Sequence, residues 1–347
     1  MSRNPLPLSV AAVLLAGTAT ADVPQVAADI GPVHALVSQV MGDLGEPALI
    51  IQLGASPHEY SLRPSEAQAL QNADLIFWVG EDLTPWMENA IETLAEGATV
   101  TSLAEAEGTV LHAFREGAAF DLHDHDDHEA DADHADGEEH GHDAHDEDDH
   151  EDHAHDEDNA DHEEHEDHAD HDHAHGDHDP HAWLSPDNAA VWLNVIATQL
   201  SAADPENAAT YDANAAAART ALDNLRDEVT ATLDPVRGRS FIVFHDAYQY
   251  FEKAFSFPAA GAISLSDASD PSPARIAEIR QRIAAQGISC VLSEPQFNPG
   301  LVSAVMEGSD AKTAVLDPIG SNIETGAGLY PALLRQLATS LADCLAD

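Results

Sequence analysis

Histidine and acidic residues crowd one stretch of this 347-residue chain. Residues 121–179 hold 17 of the 22 histidines and 29 of the 64 acidic residues, with no Lys or Arg. Neutral imidazole is a favoured ligand of zinc, copper and nickel, and His-rich tracts bind metals by composition. A solvating acidic linker would explain the carboxylates but not the histidines, so we expect weak, multiple metal binding here. The candidate accessory ligands are His123, His125, His128, His134, His140, His142, His145, His150, His153, His155, His162, His165, His168, His171, His173, His175 and His178.

The same stretch offers almost nothing to bury. Leu122 is its one apolar residue larger than alanine. Because the carboxylates repel one another and apolar burial is absent, ordering this segment could not offset the lost conformational entropy. We therefore predict that residues 121–179 form a disordered insert rich in His, Asp and Glu.

Five histidines lie outside the insert, and three of them fall at or near the junctions between predicted elements. His58 follows a strand and a turn, His181 precedes a helix N-cap, and His245 ends a buried strand. One such histidine is more often a hydrogen-bonded structural residue, but ligands of open α/β sheets collect beyond the carboxyl ends of strands. Three imidazoles brought together there would form three corners of a tetrahedral Zn(II) site. His34 is interpreted as structural, and His112, beside the insert, as either structural or a ligand.

Short apolar runs alternate with helical periods on both sides of the insert, which indicates parallel, helix-flanked sheets. Residues 22–120 predict an N-terminal α/β lobe, which is completed by residues 180–204 after the insert. Residues 205–235 predict a long helix, a candidate rigid connector, and residues 236–347 repeat the alternation as a C-terminal α/β lobe. The expected fold class is α/β with two similar lobes.

The first 21 residues have the features of a cleaved secretory signal peptide. They contain Arg3, an apolar run around Leu8 to Gly17, and a small-residue triplet that ends at Ala21. The apolar run is too short to span a bilayer, and no later run reaches that length. We expect an exported, soluble protein without membrane insertion, which in a Gram-negative bacterium lies in the periplasm.

The mature chain has two cysteines, Cys290 and Cys344. An even number of cysteines in an exported protein predicts an intramolecular disulfide bond, since the compartment is oxidising. Two free buried thiols are the alternative, and the spacing fits a cysteine metal site poorly. The pair is therefore interpreted as structural.

The charge of the chain favours a cationic ligand. The formal net charge is −51, of which −29 lies in the insert and −22 elsewhere. Nucleic acid and anionic lipid both require clustered Lys and Arg, so neither is an expected partner. A zinc hydrolase is a competing interpretation of three histidines, but the chain has no HExxH helix and no nucleophile motif, and we expect no enzymatic activity. Extracellular zinc storage or adhesion is a third interpretation.

Six features distributed over the mature chain occur together in one family. They are GASPHEYSLRPSEAQALQNADLIFWVG, DPHAWLSP, FIVFHDAYQYFEK, SEPQF, LDPIGSNI and the terminal Cys344. In these features the chain resembles the ZnuA family, the periplasmic zinc-binding components of high-affinity zinc ABC importers. The resemblance implies a cluster A-I (cluster 9) solute-binding protein, with two α/β lobes joined by a long rigid helix and one metal ion in the interlobe cleft.

The resemblance also assigns ligands for Zn(II). It implies His58 and His181 from the first lobe and His245 from the second, with Asp317 or water in the fourth position. A histidine at position 245 favours zinc, because manganese-binding members have Glu there. Ala262 stands where some relatives have a histidine of a second site, so we expect no fixed second site between the lobes.

The partners follow from the same resemblance. It implies a membrane permease with its cytoplasmic ATPase and, as further candidates, periplasmic zinc chaperones. We expect the chain itself to be a monomer. The His-rich insert would act as an accessory zinc binder that serves as a reservoir, or as a sensor of high zinc.

Overall fold

The computed structural model describes residues 23–115, 120, 178–264 and 271–346. The predicted signal peptide and the accessory histidines from His123 to His175 lie outside these described residues. The described residues all belong to one contact unit. No helix among them is long and apolar enough to cross a membrane.

The first lobe contains a four-stranded parallel sheet in the order β2-β1-β3-β4. The strand β3 has the sequence LIFW and is buried along its whole length, as expected for a parallel strand covered on both faces. The strands are β1 (Val26–Ala28), β2 (Ala48–Leu49), β3 (Leu75–Trp78) and β4 (Thr99–Ser102). The helices of this lobe are α1 (Gly31–Met41), α2 (Pro64–Asn72), α3 (Pro85–Leu94) and α4 (Pro186–Ala203).

The long helix α5 covers Ala208–Leu233, 26 residues. Its buried residues recur every three or four positions, so one face packs against α1 and α4. The sequence pattern predicted a start near Pro205, but the helix begins at Ala208. Asp204 holds the preceding turn, because its carboxylate accepts hydrogen bonds from the Asn207 side chain at 2.7 Å and the Tyr211 hydroxyl at 2.9 Å.

The second lobe repeats the topology of the first. Its parallel sheet has the order β6-β5-β7-β8, the same relative order as in the first sheet. The strands are β5 (Phe241–His245), β6 (Ala262–Ser264), β7 (Cys290–Ser293) and β8 (Lys312–Val315). The helices are α6 (Gln249–Phe255), α7 (Pro273–Gln286), α8 (Pro299–Met306) and α9 (Leu329–Leu345). The predicted fold class, two similar α/β lobes joined by a long helix, is confirmed.

The two lobes share a hydrophobic core. One cluster of buried residues continues from the first sheet through α5 and α9 to the inner face of the second sheet. Helix α9 packs against both α5 and α1. A smaller cluster fills the outer side of the second lobe. The lobes are therefore connected by tightly packed helices as well as by the chain itself, which supports the prediction of a rigid connection.

The disulfide bond between Cys290 and Cys344 is present, and the described chain has no free cysteine. It links β7 to the last turn of α9, across a sequence separation of 54 residues. This confirms the prediction made from the even cysteine count.

Two helices begin with residues that suit a helix N-terminus. Ser185 is the N-cap of α4, as predicted, and its hydroxyl accepts from the Asn188 amide at 3.2 Å. Helix α2 begins at Pro64, with Arg63 as its N-cap. Proline suits the first helical position because its φ is already helical and its missing N–H would have no partner there.

Asp29 follows β1 and connects the ends of two neighbouring strands. Its carboxylate accepts from the Ile30 amide at 2.7 Å and from the Val79 amide, just beyond β3, also at 2.7 Å. The residue is completely buried, and burial raises the pKa of its carboxyl from 3.8 to about 7. The folded state therefore binds this proton more tightly than the unfolded state.

This shift predicts a pH dependence of stability. The contribution of Asp29 to stability is complete below about pH 4 and is lost as the pH rises through 7. Asp29→Asn cannot titrate, so between pH 4 and pH 8 the free energy of unfolding should move in favour of the variant by roughly 4 kcal/mol relative to wild type. Urea unfolding of the metal-free proteins at both pH values measures this difference. If the free energies of unfolding of wild type and Asp29→Asn change in parallel with pH, the hydrogen bonds from the Ile30 and Val79 amides offset the cost of burying the charge.

Candidate metal centre

Three histidines from separate parts of the sequence meet at one point. Nitrogen atoms of His58, His181 and His245 all lie within 4.8 Å of one another. His58 is in the loop after β2, His181 directly precedes the short 3-10 turn Ala182–Leu184, and His245 is the last residue of β5. Among the described residues, this is the one group of three or more His, Cys, Asp or Glu side chains that could hold a metal ion.

A buried carboxylate orients the ring of His181. Nδ1 of His181 lies 2.7 Å from Oδ1 of Asp179, which also accepts from the His181 amide at 3.0 Å. Burial raises the pKa of the Asp179 carboxyl to about 7, although the backbone hydrogen bond lowers it. A carboxylate on one ring nitrogen fixes the tautomer and turns the other nitrogen toward a metal. Nε2 of His181 is therefore the ring nitrogen that can serve as the ligand.

A second carboxylate does the same for His245. Nδ1 of His245 lies 2.8 Å from Oε1 of Glu294, which also accepts from the His245 amide at 3.1 Å. Glu294 directly follows β7, the neighbour of β5 in the sheet. Burial raises the pKa of the Glu294 carboxyl, while its hydrogen bonds with the His245 side chain and amide lower it.

The spacing of the two buried imidazoles matches one coordination geometry. Their Nε2 atoms are 3.3 Å apart. Two nitrogen ligands about 2.0–2.1 Å from a tetrahedral zinc ion lie about 3.3 Å apart. With both Nδ1 atoms donating to carboxylates, both Nε2 atoms present lone pairs to the same space. A cation between them satisfies both.

The third histidine is placed by the aromatic side chains around its loop. The Trp86 indole N–H donates to the carbonyl of Pro57, next to His58, at 2.9 Å. Tyr60 lies against the Trp86 ring and donates its hydroxyl proton to Glu66 at 2.8 Å. The His58 ring is 5.5 Å from the His181 ring, measured between centroids. Helices α2 and α3 thus hold the loop that carries His58 over the other two histidines.

The walls of the site are mainly apolar. The Trp183 ring packs 5.2 Å from the His181 ring and the Phe297 ring 5.4 Å from the His245 ring, between centroids. Pro57, Pro318 and Ile319 also line the site, and the partly open space has room for about one water molecule. Pockets for organic ligands are far larger, about 300–1,000 Å³. The site therefore fits an ion.

Asp317, the predicted alternative to water in the fourth position, is buried near the site but is engaged elsewhere. Its Oδ1 accepts from the amides of Ile319 and Gly320, at 3.2 and 3.1 Å, and its Oδ2 from the amide of Ser321 at 2.6 Å. Its oxygens are not part of the group formed by the three histidines. The carboxylate closes the loop after β8, which carries the Pro318 and Ile319 wall of the site.

The remaining histidines of the described chain are outside the group. His34 is buried in α1, with Nε2 2.9 Å from the carbonyl of Pro47, consistent with a structural residue. His112 packs its ring against Tyr250, 4.7 Å away between centroids. His178, the one predicted accessory ligand within the described residues, lies 3.6 Å from Asp82.

Asp179 and Glu294 are site residues that sequence reasoning did not find. Asp179 was grouped with the acidic insert by composition, although its position two residues before His181 could have distinguished it. Glu294 stands in the motif SEPQF, directly after a buried strand, where an acidic residue is unusual. Its contact with His245 could be predicted only by knowing that β5 pairs with β7.

Glu294→Gln should weaken zinc binding without unfolding the protein. The amide can still accept from His245, but the negative charge that makes the imidazole a stronger ligand is lost. Loss of such a partner typically reduces metal affinity about 10–100-fold, and we expect the lower end. Competitive titration with a zinc chelator measures the change, with the exposed Glu324→Gln as the control. Equal affinities for both variants would contradict the orienting role.

Two parallel-sheet lobes joined by a long helix, with an ion-sized site built from both lobes, define a solute-binding protein for a metal ion. The family model for ZnuA, the periplasmic component A of the zinc-uptake complex, matches residues 26–344. The chain therefore belongs to the ZnuA family of periplasmic zinc-uptake components.

Curated relatives and a solved structure agree with this family. The chain is 48% identical over 320 residues to the high-affinity zinc uptake system protein ZnuA of Brucella abortus (strain 2308), covering 92% of this chain and 91% of that protein. It is 48% identical over 328 residues to the ZnuA of Paracoccus denitrificans (strain Pd 1222), covering 94% and 93%. A crystal structure of ZnuA superposes with a TM-score of 0.68 at 20% identity, covering 94% of this chain and all of that one, which shows the common fold.

Proposed function

We propose that this protein captures one Zn(II) ion in the cleft between its lobes, through His58, His181 and His245, with water in the fourth position. The observation that carries the proposal is the pair of Nε2 atoms, 3.3 Å apart and both turned inward by buried carboxylates. Asp317 is a weaker candidate for the fourth ligand because its oxygens already accept three backbone hydrogen bonds.

The ligand set also supports zinc over other abundant ions. Three neutral imidazoles are poor ligands for Ca(II) and Mg(II), which require oxygen shells. Cu(II) binds nitrogen ligands at least as tightly as Zn(II) does. Discrimination against copper therefore relies on the tetrahedral spacing and on the availability of each metal.

Membership of the ZnuA family supports delivery to a membrane transporter. Residues 1–21 would direct export and be removed, and the mature protein would carry zinc as a monomer to an ABC-type permease with its cytoplasmic ATPase. Zinc chaperones of the periplasm are further partners. The lobes would comprise residues 22–120 with 180–204, and residues 236–347, with residues 205–235 as the linker.

The His-rich segment, residues 121–179, would be an accessory zinc binder. Its C-terminal end is two residues from His181, so metal held there is tethered beside the cleft at a high effective concentration. Acting as a reservoir, it would speed loading of the cleft at low zinc. Acting as a sensor, it would slow uptake at high zinc.

Uptake of radioactive zinc by bacteria that lack their own binding component tests this function. Cells would receive wild type, His181→Ala, or a chain without residues 122–178. We expect wild type to restore uptake at low external zinc and His181→Ala to fail. The chain without residues 122–178 should still support uptake, but zinc should enter its cleft more slowly. His34→Gln serves as the histidine control.

Two results would contradict the proposal. Full uptake with His181→Ala would place the transport site elsewhere. Loss of uptake on deleting residues 122–178, with His181→Ala unaffected, would make the His-rich segment the site of capture and favour storage or sensing.

A further inference from the structure

Two short segments border the His-rich insert and run side by side. We call residues 109–115 and 178–181 together the stem. The Asp179 amide donates to the His112 carbonyl at 2.8 Å, and Ala113 forms an antiparallel bridge with His178. His181 is the last residue of the stem, so the position of the stem determines the position of this proposed zinc ligand.

One end of the stem is bound to the first lobe. The Asn188 side chain on α4 exchanges two hydrogen bonds with the backbone of Val110, at 2.9 and 3.0 Å. The indole N–H of Trp192, one turn further along α4, donates to the Thr109 hydroxyl at 3.0 Å. These contacts fix the stem to the lobe that also carries His58.

The other end is bound to α6 of the second lobe. The Tyr250 hydroxyl accepts from the His112 amide at 3.0 Å and donates to the Asp179 carbonyl at 2.8 Å. The Gln249 amide group donates to the Ala113 carbonyl at 3.1 Å and to Oδ2 of Asp179 at 3.3 Å. The stem therefore bridges the lobes beside the metal centre.

Arg115 makes the strongest connection of the stem to the second lobe. Its guanidinium donates to both oxygens of Asp246 and, through its two terminal nitrogens, to Glu252 at 2.7 and 2.9 Å. The side chain of Arg115 is 17% exposed and those of both acids 4%, so solvent screens the ion pairs little. The Phe120 ring covers the guanidinium, 3.5 Å from Cζ. A planar guanidinium can bind two carboxylates at once, which an ammonium group cannot do in the same geometry.

The two acids are attached to the other proposed ligand. Asp246 is the residue after His245, and Glu252 lies on α6, which begins four residues after His245. Arg115 thus joins the segment that carries His181 to the segment that carries His245. Neither acid takes part in the hydrogen bonds that orient the two imidazoles. Those bonds are accepted by Asp179 and Glu294.

We infer that Arg115 is a positioning residue of the metal centre: by binding Asp246 and Glu252 together, it holds the Nε2 atoms of His181 and His245 at the tetrahedral spacing. This inference rests on the proposed zinc site. The site should release zinc slowly and keep four-coordinate geometry as long as Arg115 spans the two carboxylates.

Arg115→Lys in the full mature chain is the first test. Lysine keeps the positive charge beside the two buried acids but cannot bind both, so the fold should survive while the positioning is lost. We expect zinc release to a chelator to become about tenfold faster, the lower end of the cost of losing a supporting contact in a metal site. With one equivalent of Co(II), we expect the intense visible absorption of tetrahedral cobalt to weaken and shift.

A second variant and a control complete the design. The combination Arg115→Met, Asp246→Asn and Glu252→Gln removes all three charges without leaving a buried charge unpaired, and it should show the same faster release if the lysine variant does not fold. Arg335→Lys is the matched control, because Arg335 forms an exposed ion pair with Glu228 away from the metal centre. The control should match wild type in both measurements.

The outcomes separate this inference from the proposed function. Wild-type release rates and cobalt spectra in both Arg115 variants would overturn the positioning role while the zinc site stands. If His181→Ala gives the same cobalt spectrum as wild type, the zinc site itself is overturned.

Discussion

His245→Ala is expected to reduce the affinity of the cleft for zinc by more than about a hundredfold, because loss of a supporting carboxylate alone typically costs 10–100-fold. His245 is 4% exposed, and its removal leaves Glu294 buried without its imidazole partner. Two remaining imidazoles cannot complete a tetrahedral site without extra water ligands. Calorimetric titration in competition with a chelator measures the loss, and one tight equivalent should disappear from the stoichiometry.

The control for this prediction is a histidine outside the group. His34→Gln can retain the contact with the Pro47 carbonyl, since the glutamine amide can donate to it. Its zinc affinity should equal that of wild type. Retention of the tight equivalent by His245→Ala would mean that the second lobe contributes no ligand.

Replacing both cysteines by serine is expected to lower the free energy of unfolding by about 4 kcal/mol, the loop-closure entropy for a loop of this length. The bond joins Cys290 in β7 to Cys344 in α9, 54 residues apart. Both positions are at most 5% exposed, so each serine hydroxyl is also placed in an apolar environment. Guanidinium-induced unfolding of the metal-free protein measures the change.

Reduction of the wild-type protein provides the control for the disulfide. Wild type in dithiothreitol should approach the stability of the double variant, and the variant should not respond to the reductant. Because β7 immediately precedes Glu294, zinc release should also become faster in the variant. A stability loss of less than about 1 kcal/mol would show that packing of α9 alone holds the C-terminus.

Periodicity and turn residues predicted most of the fold. The long helix α5 follows from a run without internal Gly or Pro, and the N-cap Ser185 follows from residue type. Short elements were missed: β4 and β6 have four and three residues, and α8 has eight. Runs of this length carry too few periods to distinguish strand from helix. Their structure depends on pairing with neighbouring strands.

The site was predictable only in part, for a related reason. His58, His181 and His245 could be selected from their positions at element junctions, and their meeting required the topology of both sheets. Asp179, Glu294 and Arg115 are polar residues whose roles arise from contacts between segments distant in sequence. For instance, Arg115 is 131 residues from Asp246. Such pairs leave no local pattern to read.

The central claim is that one zinc ion lies between His58, His181 and His245. Anomalous diffraction at the zinc absorption edge, from crystals of the mature protein loaded with one equivalent of zinc, tests it most directly. We predict one strong peak in the cleft, about 2.0–2.1 Å from Nε2 of His181, from Nε2 of His245 and from a ring nitrogen of His58. A cleft without a peak, with zinc bound elsewhere in the chain, would contradict the claim.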